Sequence, residues 1–174
     1  VTAKLAPTVA WANPAAIVYG TALGPSQLNA TANVTGTFAY NPPAGAVLAA
    51  GQGRFLATTF TPTDTAAYEP VTVVVGIDVL KAPLTIRAEG NSKAYGAVVP
   101  ALTATFSGFV NQDNAASLDS PVTLSTTASA SSNAGNYPVT ASGASDANYA
   151  ITFEAGTLNV TRVPLTIRAE NKTK

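Results

Sequence analysis

An octapeptide occurs twice in this chain with one residue changed, and nothing constrains its fold more. Ala82-Pro83-Leu84-Thr85-Ile86-Arg87-Ala88-Glu89 returns as Val163-Pro164-Leu165-Thr166-Ile167-Arg168-Ala169-Glu170, with the two prolines 164 − 83 = 81 residues apart. A period near 80 residues is too long for a solenoid and suits bead-like modules in an array. The repeat divides the 174 residues into modules 1–82 and 83–163, with 164–174 opening a further repeat. A module of about 80 residues buries about 60–65% of its unfolded surface, a small but sufficient core.

Two further landmarks keep register with the prolines. Pro7 and Pro83 each stand 12 residues before a Tyr-Gly pair, Tyr19-Gly20 and Tyr95-Gly96. Tyr68 and Tyr149 each stand 15 residues before the next module's proline, Pro83 and Pro164, and each closely follows an aspartate, Asp64 or Asp146. Lys93 aligns with Lys174, and Val1-Thr2-Ala3-Lys4 resembles the module end Val160-Thr161-Arg162. The sequence therefore reads as a piece of a longer array.

Inside the modules the apolar period is two, the mark of half-buried strands. Leu84, Ile86 and Ala88 alternate with Thr85, Arg87 and Glu89, and the same pattern runs through 102–107, 122–125 and 137–142. It recurs at Val71-Val73-Val75-Ile77-Val79, Leu28-Ala30-Ala32-Val34, Phe38-Tyr40, Ile151-Phe153 and Leu158-Val160. Turn residues separate these runs at Asn13-Pro14, Asn41-Pro42-Pro43-Ala44-Gly45, Gly51-Gln52-Gly53 and Thr61-Pro62-Thr63-Asp64. Helix is expected only as a turn or two at Pro25–Asn29 and Asn111–Leu118. The expectation is an all-β chain of two tandem immunoglobulin-like β-sandwich modules in an elongated arrangement. A β-grasp arrangement of the second module, with 111–118 as its helix, is the alternative.

Composition excludes several function classes. Charged residues make up 10% of the chain, where about 25% is usual. Net charge is zero and neither sign clusters, which argues against nucleic acid and anionic membrane surfaces. The chain has no Cys and no His, so thiolate chemistry, zinc sites and Ser-His catalysis have no residues to work with. The longest apolar run, Val71–Leu80, is ten residues with Asp78 inside it, too short and too polar for a membrane span.

Several motifs carry a family resemblance. Trp11, Pro14, Ile17, Tyr19-Gly20, Leu28–Ala32 and Thr59-Phe60-Thr61-Pro62-Thr63-Asp64 resemble tandem immunoglobulin-like repeats of large bacterial surface proteins. Leu84–Ala88, Lys93-Ala94-Tyr95-Gly96, Gly135-Asn136-Tyr137-Pro138 and Asn148-Tyr149-Ala150-Ile151 resemble the MBG (YGX-type) repeat of such proteins. The resemblance implies a non-catalytic module of an adhesin or similar exported protein, and it carries over no catalytic residue.

Each candidate site residue also has a packing reading. Trp11 is expected in the core, although an exposed Trp11 gathered with Phe38 and Tyr40 would form a sugar-stacking platform. Tyr19 and Tyr95 read as anchors of a glycine turn. Tyr68 and Tyr149 read as corners whose hydroxyls bond backbone upstream. Asp146-Ala147-Asn148, Asn111-Gln112-Asp113-Asn114, Asp119 and Asp64 offer one carboxylate each, whereas calcium takes six or more oxygens, usually with several carboxylates close together. No carboxylate pair for glycoside hydrolysis can be named. Lys4, Lys81 and Lys93 near strand starts raise a lysine–asparagine cross-link, with no acidic partner to complete it. No catalytic, metal or cofactor site is expected.

The function expected is a stalk or spacer repeat at the cell surface that presents a distal binding domain. The alternative is an adhesion module that itself binds glycan or host protein. Neighbouring repeats of the same polypeptide are the expected partners, and the piece itself is expected to be a monomer. Pro83 and Pro164 stiffen junctions that hold no flexible spacer, so a semi-rigid two-bead rod is expected. Gly-Gly-Ser inserted between Ala82 and Pro83 should then loosen the rod without altering either module.

Overall fold

Alternating apolar and polar side chains put one face of a strand against a core and leave the other wet. That rule shapes nearly the whole molecule. The computed structural model describes residues 3–172, so the Lys174 counterpart of Lys93 and the Val1-Thr2 part of the opening lie outside the described residues. The described chain is nearly all β, and its contacts divide it into two units. Neither unit is contiguous in sequence: Gly108–Asp119 and Ser145–Ala150 pack with residues 1–84. Packing units and sequence modules are thus different divisions of the chain.

In the first unit, β1 (Val9–Ala10) pairs with β3 (Thr31–Ala32). Four strands make the larger sheet: β2 (Ile17–Val18), β4 (Gly36–Asn41), β5 (Gly51–Pro62) and β6 (Val71–Leu80), in the order β2-β6-β5-β4. All neighbours are antiparallel except β2 and β6, which run parallel. Leu56, Thr58 and Phe60 of β5 and Val75, Ile77 and Val79 of β6 are buried. The buried Thr58 hydroxyl donates to the Ala39 carbonyl at 3.2 Å, so it enters the core with a partner.

The second unit comprises Thr85–Ser107, Ser120–Ala144 and Ile151–Lys174. The later strands are β7 (Ala82–Ala88), β8 (Asn91–Ala94), β9 (Ala104–Ser107), β10 (Thr123–Thr126), β11 (Gly135–Ser142), β12 (Tyr149–Glu154) and β13 (Gly156–Thr161). They form the sheets β10-β11-β13-β8 and β12-β7-β9. Strand β13 pairs in parallel with β8, matching Val160 to Lys93 and Thr161 to Ala94. Ile86, Ala88, Val139, Ala141, Leu158 and Val160 are buried.

Several expectations give way here. Gly51-Gln52-Gly53 and Thr61-Pro62 are not turns but the ends of β5, the longest strand among the described residues. Its register shifts between Gly51 and Arg54, and the Gly53 N–H is bonded by the Asp78 carboxylate at 2.7 Å. The glycines therefore mark a bulge inside a strand. Pro25–Asn29 contains only a turn, with the Leu28 N–H bonded to the Gly24 carbonyl. Within Asn111–Leu118 only Ala115–Ser117 is helical, a 3-10 turn that buries no residue, and it cannot serve as the sheet-covering helix of a β-grasp. Phe153, expected on an inward face, is 42% exposed. Residues 163–172 form no strand, and Leu165 and Ile167 are each 84% exposed.

Candidate functional site

The Tyr-Gly pairs direct attention to one place in the first unit. Tyr19 directly follows β2, and its N–H donates to the Leu80 carbonyl at 2.8 Å. Gly20 then takes φ +91°, a left-handed conformation that glycine adopts without steric cost. This turn aims the Tyr19 ring inward, where it is 9% exposed.

A loop from far along the sequence closes over it. The Asp113 N–H returns to the Val110 carbonyl at 2.9 Å. Between them Asn111 and Gln112 stand at φ 54° and 64°, a doubled left-handed conformation as in primed turns. The turn delivers Asp113 between two phenols. The Tyr19 hydroxyl donates to Asp113 Oδ2 at 2.9 Å, and the Tyr149 hydroxyl donates to the same oxygen at 2.8 Å. Asn111 Nδ2 donates to the Tyr19 oxygen at 3.4 Å, and the Val110 N–H donates to the Tyr149 oxygen at 3.1 Å. The rings meet edge to face: Tyr19 and Tyr149 have centroids 5.5 Å apart, and Phe109 stands 5.4 Å from Tyr149. A Cβ on Gly20 would come within 2.6 Å of Val110 Cγ2, so glycine is needed there for space as well as for φ.

The electrostatics favour keeping both phenols neutral. Burial pushes the Tyr149 hydroxyl up to about 12; donation from the Val110 N–H opposes this and the Asp113 carboxylate adds to it. For Tyr19, donation from Asn111 pulls downward, but burial and Asp113 outweigh it and the net shift is upward. Neutral phenols that must donate to a carboxylate make a clasp. They do not make a nucleophile or a general base, both of which need a proton readily lost near neutral pH.

Other supports surround the clasp. The Ala82 N–H donates to the Asn148 carbonyl at 2.9 Å, and Asn148 Oδ1 accepts from the Ala50 N–H at 2.9 Å. Lys81 Nζ donates to the Asp146 carbonyl at 2.9 Å, and Asp119 Oδ2 accepts from the Ala147 N–H at 2.8 Å. The aspartates and asparagines considered for calcium thus already take part in hydrogen bonds of the fold. Asp64 Oδ1 accepts from the Ala66 and Ala67 N–H groups, Asp146 Oδ1 from the Asn148 N–H, and Asn114 Oδ1 from the Ala116 N–H. Tyr149 bonds backbone upstream as expected of a corner, but 39 residues away at Val110.

Trp11, Phe38 and Tyr40 do gather, half-buried, with Trp11–Tyr40 centroids at 5.4 Å and Phe38 tilted against the buried Phe60 at 4.8 Å. Trp11 Nε1 donates to the Gln27 carbonyl and the Tyr40 oxygen accepts the Ala30 N–H, so both polar tips are turned to backbone. Lys93 is buried, with Nζ donating to the carbonyls of Ala97 and Ala130 and not to an asparagine side chain. Lys4 is exposed.

These turns and strands agree with a known family over the second module. Residues 84–159 match the MBG domain, YGX type. The match takes in β8, the Tyr95-Gly96 turn, the 108–119 loop and Tyr149, and leaves 1–83 outside. No curated protein matches the chain. Among solved structures, the fibronectin(III)-like modules of Clostridium thermocellum CbhA align with 95% of this chain and 100% of their own, at 13% identity and a TM-score of 0.33.

Proposed function

We propose that this chain is a non-catalytic stalk segment of a bacterial surface protein, whose repeats add length and carry a binding domain away from the cell. One observation supports this reading above the others. The Tyr-Gly turns of the two modules are built alike: the Tyr19 N–H donates to the Leu80 carbonyl at 2.8 Å, and the Tyr95 N–H donates to the Thr161 carbonyl at 2.9 Å. A repeated structural device together with a repeated octapeptide is what an array requires, whereas an enzyme requires one unrepeated constellation. The MBG match at 84–159 and the resemblance of that family to surface-protein repeats point the same way. The buried, bonded clasp supplies the rigidity that a spacer needs.

Small-angle X-ray scattering of the 174-residue chain tests the reading. An elongated distance distribution with a long tail is expected, and a near-spherical profile would overturn it.

A further inference from the structure

The two Tyr-Gly turns are the same structure in two states of cover. In the first, Val18 and Leu80 pair in parallel, the Tyr19 N–H bonds the Leu80 carbonyl, and the Thr21 N–H closes on the Val18 carbonyl at 3.0 Å. In the second, Ala94 and Thr161 pair in parallel, the Tyr95 N–H bonds the Thr161 carbonyl, and the Ala97 N–H closes on the Ala94 carbonyl at 3.1 Å. Gly20 and Gly96 stand at φ +91° and +82°. The surroundings differ. Tyr19 is buried under the 108–119 loop, with Val110 against Gly20. Tyr95 is 51% exposed, Val98 beside it is exposed, and a Cβ on Gly96 would meet nothing within 4 Å.

We propose that Tyr95-Gly96 is a docking site for the 108–119 loop of a following copy of the 83–163 segment. In that complex the copy's Asp113 accepts the Tyr95 hydroxyl and the copy's Val110 covers Gly96. Chain order supports this occupant. Leu80, which anchors the covered turn, lies three residues before Pro83, and Thr161, which anchors the bare turn, lies three residues before Pro164. The octapeptide that leads from Leu80 into the loop-bearing segment is the one that follows Thr161. A next copy therefore starts from the same point relative to the bare turn. The inference rests on the repeat reading above, but each can fail alone: a spacer can be elongated with Tyr95 bare, and Tyr95 can be covered in a compact array.

The test continues the full 174-residue chain with a second copy of residues 94–163, in the register where Lys174 stands for Lys93. Tyrosine nitration is followed residue by residue by mass spectrometry. In the 174-residue chain Tyr95 reacts readily while Tyr19 and Tyr149 are protected. In the continued chain the Tyr95 rate falls by about tenfold or more, as expected of a residue exposed only through local opening, and Asp113→Ala in the appended copy restores it. An unchanged Tyr95 rate beside a folded second copy overturns the proposal. A second copy that stays unfolded there also counts against it, because the same sequence folds after Leu80.

Discussion

Gly20 and Gly96 share a backbone conformation but not a neighbourhood, and that contrast measures what the 108–119 loop contributes. Alanine at either position meets the left-handed penalty of roughly 1–2 kcal/mol. At Gly20 the new methyl also drives into Val110, adding overpacking of about 1–3 kcal/mol. Gly20→Ala should therefore lower the urea midpoint clearly more than Gly96→Ala, and equal losses would mean that the loop does not rest on Gly20. Tyr149 gives a pH signature. Its hydroxyl titrates near 12 in the fold against an ordinary value of 10. Between those values the unfolded chain has lost a proton that the native state retains. The stabilisation is thus complete below pH 10 and is lost as pH rises toward 12, on the order of 2–3 kcal/mol in all. Tyr19 shifts the same way and adds to the loss. Tyr149→Phe should cost about 1–2 kcal/mol at neutral pH, because the Val110 N–H and Asp113 each lose a partner. The variant should also flatten the alkaline decline. A wild-type stability that does not fall between pH 10 and 12 would contradict a buried Tyr149 hydroxyl.

Two copies of one strand sequence meet different fates, and this separates what local sequence dictates from what packing adds. Leu84 is fully buried in the first copy, whereas Leu165 is 84% exposed in the second. Leu84→Ala should cost about 2–5 kcal/mol, and Leu165→Ala less than about 0.5 kcal/mol, both read from denaturation midpoints of the same chain. Period-two alternation made the inward faces of β7 and β6 legible from sequence, because a strand with one wet face must alternate. It failed at β5, where Gly51, Gly53 and Pro62 carry turn chemistry although the strand absorbs them as a bulge and an end. It failed at Phe153 too, which shares its face of β12 with the buried Tyr149 but lies near the exposed end of the strand. The clasp was half legible. Spacing singled out Tyr19 and Tyr149 as structural tyrosines, but their shared acceptor lies 94 and 36 residues away. No local pattern announces a contact at that range. Asp113, considered as a calcium ligand, serves as the hub of two phenols.

Across the whole molecule, the junction and the carboxylates each yield a test. Ala82 is buried at the start of β7 and its N–H is bonded to the Asn148 carbonyl. Gly-Gly-Ser inserted between Ala82 and Pro83 would separate that anchor from the rest of the strand. The insertion should therefore lower stability, by about 1–3 kcal/mol, and not merely loosen a linker; an unchanged melting temperature would mean that Ala82 is not anchored. Calcium is the other case. Among the described residues no three acidic side chains gather into a possible metal site. Asp64, Asp113, Asp119 and Asp146 each bond separate N–H or O–H donors. Calcium takes six to eight oxygens, usually including several carboxylates, and recruiting these aspartates would break the turns and the clasp they hold. Melting temperature should accordingly stay the same in chelator and in millimolar calcium. A bound ion at a hundredfold excess over its Kd would instead add about 2.7 kcal/mol and raise the transition by several degrees, and a rise of that size would show that the aspartates serve a metal in place of the hydrogen bonds described.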